Sequence, residues 1–357
     1  MRCLDPAAPR RILLRATNWV GDAVMTLPAL AALHAACPQA AIEVLARPWA
    51  AAVYGAQPGV SRVLAYDKAG EHAGAGGMLA LARQLRARGY DWAVLLQNAF
   101  EAAAIAWLVR IPVRLGYSRD GRGLLLTHRA TLTPELRRVH ETSYYLAILD
   151  QAGLLPASPP PEGVRPELIL AAPDREWANE YLRREGLEGA RLLGLAPGAA
   201  FGPAKQWPAE RFAATARDLA DAADAVLLFG SQGESAACEA VAQGLAGMEA
   251  RNLAGATRLG QALALVERCT LFITNDSGLM HAAAALGRPT VAVFGSTDPV
   301  TTGPLGPRTA LLRSPVDCSP CLKPQCPSGD LKCFTAISPE EVALAARGLL
   351  AQAGEGA

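Results

Sequence analysis

Short apolar runs of Leu, Val and Ile alternate along this chain with longer Ala/Leu-rich stretches of helical spacing. That alternation is the signature of repeated β–α units winding a parallel sheet. In the first half, residues 11–16 (RILLRA), 42–46, 62–65, 92–96 and 113–117 read as strands. Residues 29–36, 78–88 and 102–110 read as helices, and a further helix around 141–152 closes that half. The pattern restarts with strand-like runs at 192–196, 225–229, 271–275 and 290–294, interleaved with helices near 208–222, 234–246, 258–268 and 278–287. Ser338-Pro339-Glu340-Glu341 has the form of a capping box with Pro at the first helical position, and predicts a last helix to about residue 352.

Residues 155–166 (LPASPPPEGVRP) are too rich in proline for a helix or a central strand and read as a linker. The expected organisation is an α/β chain of two Rossmann-like, doubly wound domains facing a central cleft. Residues 1–165 form the first domain and 167–337 the second, and the helix within 338–357 is expected to pack back toward the N-terminal half. In parallel sheets ligands bind beyond the C-terminal strand ends, which selects the loops to read.

Composition narrows the class. Of 357 residues, 51% are hydrophobic and 19% charged, which fits packed globular domains and excludes disorder. No stretch of 18 apolar residues occurs, and the opening segment lacks the apolar core of a signal peptide, so a cytoplasmic protein is expected. The net charge of +1 hides an asymmetry: residues 1–150 carry 17 Lys/Arg against 11 Asp/Glu, and the remainder 17 against 22. The basic half suits an acidic partner, or is an ordinary solvated face.

Five loops follow strands and carry candidate chemistry. In Thr17-Asn18-Trp19-Val20-Gly21-Asp22 the carboxylate of Asp22 either caps a helix or serves as a general base. In residues 196–208 (APGAAFGPAKQWP), Gly198 and its small neighbours leave room for phosphate and Lys205 supplies a point charge; a surface lysine is the alternative. Residues 274–281 (TNDSGLMH) join a strand to an Ala-rich helix, so the N–H groups of Ser277, Gly278, Leu279 and Met280 form an anion site at a helix N-terminus. Asp276 is then placed to bond sugar hydroxyls, while His281 reads as a core histidine. The loop 295–299 (GSTDP) converges on the same strand ends, and Glu234, after Gly230-Ser231-Gln232-Gly233, either bonds a ribose diol or complements a helix dipole. The dinucleotide fingerprint G-x-G-x-x-G and the Walker A loop are both absent.

Cys318, Cys321, Cys326 and Cys333 are spaced C-x2-C-x4-C-x6-C in a loop rich in Pro and Lys. Structural zinc, disulfides and free thiols are all open readings. No metal-binding signature accompanies the catalytic candidates, so no cofactor is expected.

Taken in order, residues 18–28 (NWVGDAVMTLP), 197–208 (PGAAFGPAKQWP), 275–281 (NDSGLMH) and 295–299 (GSTDP) resemble the ADP-heptose:lipopolysaccharide heptosyltransferase family, most of all its second-heptose branch. The resemblance runs from about residue 11 to 345. It implies a GT-B fold with an N-terminal acceptor domain and a C-terminal ADP-sugar domain. It also implies a metal-independent, inverting transfer of heptose from ADP-heptose. It assigns the catalytic base to Asp22, the leaving-group lysine to Lys205, and donor binding to residues 276–281. The acceptor implied is an acidic, phosphorylated glycolipid and not a nucleic acid, reached by peripheral contact at the cytoplasmic face of the inner membrane. Asn18, Trp19, Arg119 and Arg122 are candidates to meet it, with Arg114, Arg137 and Arg138 behind them.

Overall fold

A computed structural model describes residues 3–155 and 164–354 of the chain; most of the proline-rich linker lies outside the described residues. The chain divides into two compact units, Met1–Ile169 and Leu170–Ala357.

The first unit is a six-stranded parallel sheet of β1 (Arg11–Arg15), β2 (Ala41–Ala46), β3 (Val60–Ala65), β4 (Trp92–Leu95), β5 (Val113–Tyr117) and β6 (His128–Ala130). Its strand order is β3-β2-β1-β4-β5-β6. The second unit repeats the plan with β7 (Leu192–Ala196), β8 (Ala225–Leu228), β9 (Ala250–Asn252), β10 (Leu271–Asn275), β11 (Thr290–Phe294) and β12 (Thr309–Arg313), in the order β12-β11-β10-β7-β8-β9. Each sheet therefore winds outward from its first strand, reverses, and winds the other way. The α/β class expected from the sequence is found, as the pair of Rossmann-like sheets that make up a GT-B chain.

Central strands are buried along their whole length because helices cover both sheet faces. Leu192–Ala196, Leu271–Asn275 and Thr290–Phe294 have every residue buried. Gly194 in β7 shows how tight this packing is, since a Cβ there would stand 2.5 Å from the Phe272 ring of the neighbouring strand. The sheet edges are looser: β3 and β12 contain no buried residue.

The apolar face of the last helix, Pro339–Gly354, belongs to the second unit. Val342, Ala343, Ala346 and Leu349 join Trp207, Phe212 and Phe334 in its core. With this face the helix closes over strands β10, β11 and β12 and the helix Ala209–Asp218.

The order reversal falls between β1 and β4 in one sheet and between β7 and β10 in the other. Loops at such a switch point have no crossover lying over them, which leaves the strand ends open to ligand. Of the five segments singled out in the sequence, those after β1, β7 and β10 begin at these strands, and those after β8 and β11 begin one strand further out.

Candidate functional site

In the second unit, the segment after β7 is fixed by the last residue of β10. Asn275 is fully buried; its side-chain Oδ1 accepts from the Trp207 N–H at 2.9 Å, and its Nδ2 donates to the Pro197 carbonyl at 2.6 Å. One amide thus staples both ends of the lysine loop. Trp207 is itself buried, and its indole donates to the Phe334 carbonyl at 3.2 Å.

With the loop fixed, Lys205 Nζ comes within 2.6 Å of Asp276 Oδ2. Thr297 Oγ1, from the loop after β11, donates to the same oxygen at 2.7 Å. Three strand ends thereby converge on one carboxylate. The lysine side chain is 14% exposed and the aspartate 6%, so the pair is shielded from water without being sealed. Lys205 also lies over the Phe201 ring, 5.6 Å from its centroid.

Beside this pair begins the helix Gly278–Ala285. Ser277 is its N-cap, and its hydroxyl accepts from Met280 N at 3.4 Å while meeting Thr274 Oγ1 at 3.1 Å. The half-buried residues Ser277, Gly278 and Leu279 present this helix start toward solvent. Met280 is fully buried against Ala292 and Phe294, and its backbone N–H is the one that the Ser277 hydroxyl accepts. His281 is also buried, as its core reading anticipated.

Gly198 and Glu234 meet as well. A Cβ at Gly198 would stand 2.6 Å from Glu234 Oε1, so only glycine permits this approach. Glu234 Oε2 accepts from the Ser231 N–H at 2.8 Å and from its hydroxyl at 2.7 Å, closing a capping box at the turn Gln232–Glu234.

In the first unit, Asp22 lies in the first turn of the helix Val20–Met25, half-buried. The loop before it is held at Asn18. The Asn18 side-chain oxygen accepts from Arg15 Nη2 at 3.1 Å and Arg47 Nε at 3.3 Å, and its carbonyl accepts from the Trp49 indole at 2.8 Å. Both arginines are buried and face the Tyr66 ring, Arg47 at 4.5 Å and Arg15 at 5.3 Å. Trp19 and Trp49 are 63% and 54% exposed, large apolar faces flanking the loop.

Glu141 opens the helix Glu141–Gln151 and is a neighbour of Asp22. Burial, then the Asp22 charge, push its carboxyl up to about 7, with the Arg119 guanidinium pulling the other way. Tyr145 is driven well above the usual phenol range by burial and then by Asp22 and Glu141. Nothing in the sequence links position 141 to position 22. Only the packing of the two helices does so.

The acceptor arginines separate. Arg119 is half-buried, with Nε donating to Asp120 at 3.1 Å and its guanidinium also bonded to Tyr144. Arg137 and Arg138 are exposed. Arg122 is corrected: it is fully buried, with Nε donating to the Tyr117 carbonyl at 2.8 Å, Nη2 to Asn98 at 3.0 Å and Nη1 to the Gln97 carbonyl. Every donor group of that guanidinium is directed into the fold, so it ties strand ends together. Arg114 is likewise tied to the carbonyls of Leu125, at 2.6 Å, and Ile111.

Cys318, Cys321, Cys326 and Cys333 are free thiols, and burial followed by the nearness of the other three raises Cys333 above the usual thiol value. Among the described residues no three His, Cys, Asp or Glu side chains stand as a ready-made metal-holding group.

A search among protein families matches residues 78–332 to "Glycosyltransferase family 9 (heptosyltransferase)". The lipopolysaccharide heptosyltransferase 2 of Escherichia coli K12 is 33% identical over 309 residues, spanning 85% of this chain and 88% of that protein. The solved structure of E. coli ADP-heptose LPS heptosyltransferase II superposes with a TM-score of 0.81 at 31% identity, covering 96% of this chain and 99% of that one. A family 9 glycosyltransferase structure from Veillonella parvula superposes at 0.85 with 26% identity, covering 98% and 99%.

Proposed function

The chain belongs to glycosyltransferase family 9, the heptosyltransferases, and we propose that it transfers heptose from ADP-L-glycero-D-manno-heptose to the first heptose of the lipopolysaccharide inner core, inverting the anomeric carbon. The reading rests above all on Lys205, Asp276 and Thr297 gathered beside the helix start at Ser277. A cation, a polarised carboxylate and free backbone N–H groups in one place match a sugar linked through a diphosphate.

In the proposed reaction Asp22 accepts the proton of the acceptor hydroxyl as that oxygen attacks C1 of the donor. The bond from C1 to the diphosphate oxygen breaks, and negative charge grows on the departing ADP. Lys205 and the N–H groups at Ser277, Gly278 and Leu279 stabilise that charge, so no step requires a metal ion. Asp276 uses one oxygen to orient Lys205 and Thr297 and offers the other to the sugar hydroxyls. Glu234, seated against Gly198, is assigned to the ribose side of the nucleotide.

The acceptor is an acidic, phosphorylated glycolipid, for which the basic N-terminal half is suited. Arg137 and Arg138 supply exposed cations for its phosphates, and the half-buried Arg119 a third. Trp19 supplies an aromatic face to a sugar ring, with Asn18 fixing the loop that carries it. No helix among the described residues is long and apolar enough to cross a membrane. We accordingly assign peripheral contact at the cytoplasmic face, where the nucleotide-sugar donor is supplied.

The test is an incubation with ADP-heptose and core glycolipids ending in zero, one or two heptoses. ADP release confined to the one-heptose acceptor supports the proposal. Release with the heptose-free acceptor moves the enzyme to another core position, and release with none of the three removes the activity.

A further inference from the structure

We propose that Cys318, Cys321, Cys326 and Cys333 bind one thiophilic divalent ion of the zinc class, and that this ion braces the loops of the donor site. The four thiols line a single cavity of about 260 Å³, together with Ser296 and Lys323. All eight cysteines of the chain are free, so these four are available as ligands. Thiolate sulfurs are the ligand type that soft metals select, and four of them complete a tetrahedron with no open position. The ion is therefore structural and takes no part in sugar transfer.

A second observation points to the same cavity. Ser296 lies on its wall, is 1% exposed, and its hydroxyl is buried with no hydrogen-bond partner. A buried hydroxyl left unpaired is costly. A metal-bound thiolate is an acceptor suited to it, in the way groups behind the first ligands orient metal sites.

The charges balance. Four thiols bind M²⁺ as M(SR)₄²⁻ and release four protons, and Lys323 on the cavity wall offsets part of the remaining charge. Because no three thiols stand ready-made as a ligand set, binding is coupled to closure of the loop around the ion.

The loop is already tied to the donor site at three points. Ala204 N donates to the Pro324 carbonyl at 3.1 Å, Leu322 N donates to the Ser296 carbonyl at 2.8 Å, and Ser319 Oγ donates to the Gly295 carbonyl at 2.6 Å. These bonds end on the residues just before Lys205 and Thr297, so ordering the thiol loop orders the cradle. This consequence rests on the proposed donor site, whereas metal binding itself does not.

The experiment measures metal in the full-length chain by plasma mass spectrometry, after purification without chelator or polyhistidine tag and again after reloading the stripped protein with zinc. About one equivalent per chain is expected, with about four protons released per ion on reloading. Cys321→Ser combined with Cys326→Ser should lower the metal content at least tenfold. Less than about a tenth of an equivalent after reloading overturns the site, as does intact-mass evidence that the four cysteines pair as disulfides. ADP affinity, read by calorimetry, should weaken several-fold when the metal is stripped and return on reloading. Stoichiometric metal with unchanged ADP affinity overturns the bracing role. Stoichiometric metal in a chain that releases no ADP from ADP-heptose leaves the metal site standing and removes the transferase reading instead.

Discussion

Lys205 and Asp276 form an ion pair of 2.6 Å at the shielded end of the second sheet, with Thr297 donating to the same carboxylate oxygen. A cation that waits against a carboxylate is neutralised until a stronger anion arrives, and a diphosphate is such an anion. Asp276 thereby holds Lys205 oriented at little electrostatic cost while giving it something to leave.

Removing the lysine should have two separable effects. Lys205→Met should lower kcat/KM by roughly 10²–10³-fold through loss of charge stabilisation on the leaving group. It should also lower the melting temperature, because Asp276 is left as an unpaired buried charge. Adding Asp276→Asn should recover the melting temperature and not the activity. If the double variant melts no higher than the single one, the pair is not the coupled unit described.

Asn275→Ala removes three hydrogen bonds from a fully buried amide, those with Trp207 N and the Pro197 carbonyl and a longer one with the Gly198 carbonyl. The expected loss is about 2–3 kcal/mol of unfolding free energy, measured by denaturant titration, together with a higher KM for the donor as the lysine loop loosens. An unchanged unfolding midpoint contradicts the stapling role.

Glu141 predicts a pH dependence of stability. Its carboxyl is raised to about 7, first by burial and then by Asp22, whereas an unperturbed glutamate titrates at about 4.3. Between these values the folded chain holds a proton that the unfolded chain has lost. Stability from this group is therefore full below the lower value and falls as pH rises to the higher one. Glu141→Gln abolishes that fall, so its melting temperature should gain on wild type by a few degrees as pH goes from about 5 to about 8. A constant difference across that range places Glu141 in water.

Arg119→Ala and Arg122→Ala should fail in different ways. Arg122 is fully buried and spends its donors on Tyr117, Gln97 and Asn98, so its loss should lower stability by about 3 kcal/mol or more. Arg119 is a half-buried cation bonded to Asp120 and Tyr144 beside Glu141, so its loss should raise the acceptor KM with a smaller drop in melting temperature than the loss of Arg122. Equal effects in both assays contradict the division.

The sheets were legible in the sequence wherever strands are apolar throughout, as at Leu192–Ala196 and Thr290–Phe294. The edge strands His128–Ala130 and Thr309–Arg313 escaped it, since the one is three residues long with a single buried position and the other is only half-buried along its length. The start of the helix Gly74–Arg86 was hidden by Gly74, Gly76 and Gly77, poor helix formers that tertiary packing overrides. In the donor loops the residues that act together sit in compact motifs, so Lys205, Asp276 and Ser277 could be picked out from spacing. The junctions between distant segments could not. Arg15 and Arg47 meeting at Asn18, and Glu141 meeting Asp22, exist only once the helices and strand ends pack. Arg122 misled for the same reason: a basic loop residue reads as surface until its carbonyl partners are known.

The central claim is that a carboxylate of the first unit takes the acceptor proton while the second unit holds the departing diphosphate. It is tested most directly by Asp22→Asn, assayed for ADP release from ADP-heptose with the one-heptose glycolipid and, separately, for ADP binding by calorimetry. The account predicts turnover reduced by at least about 10²–10⁴-fold, with an ADP dissociation constant within about twofold of wild type. Near-normal turnover in Asp22→Asn would contradict it, since the acceptor proton would then have another destination.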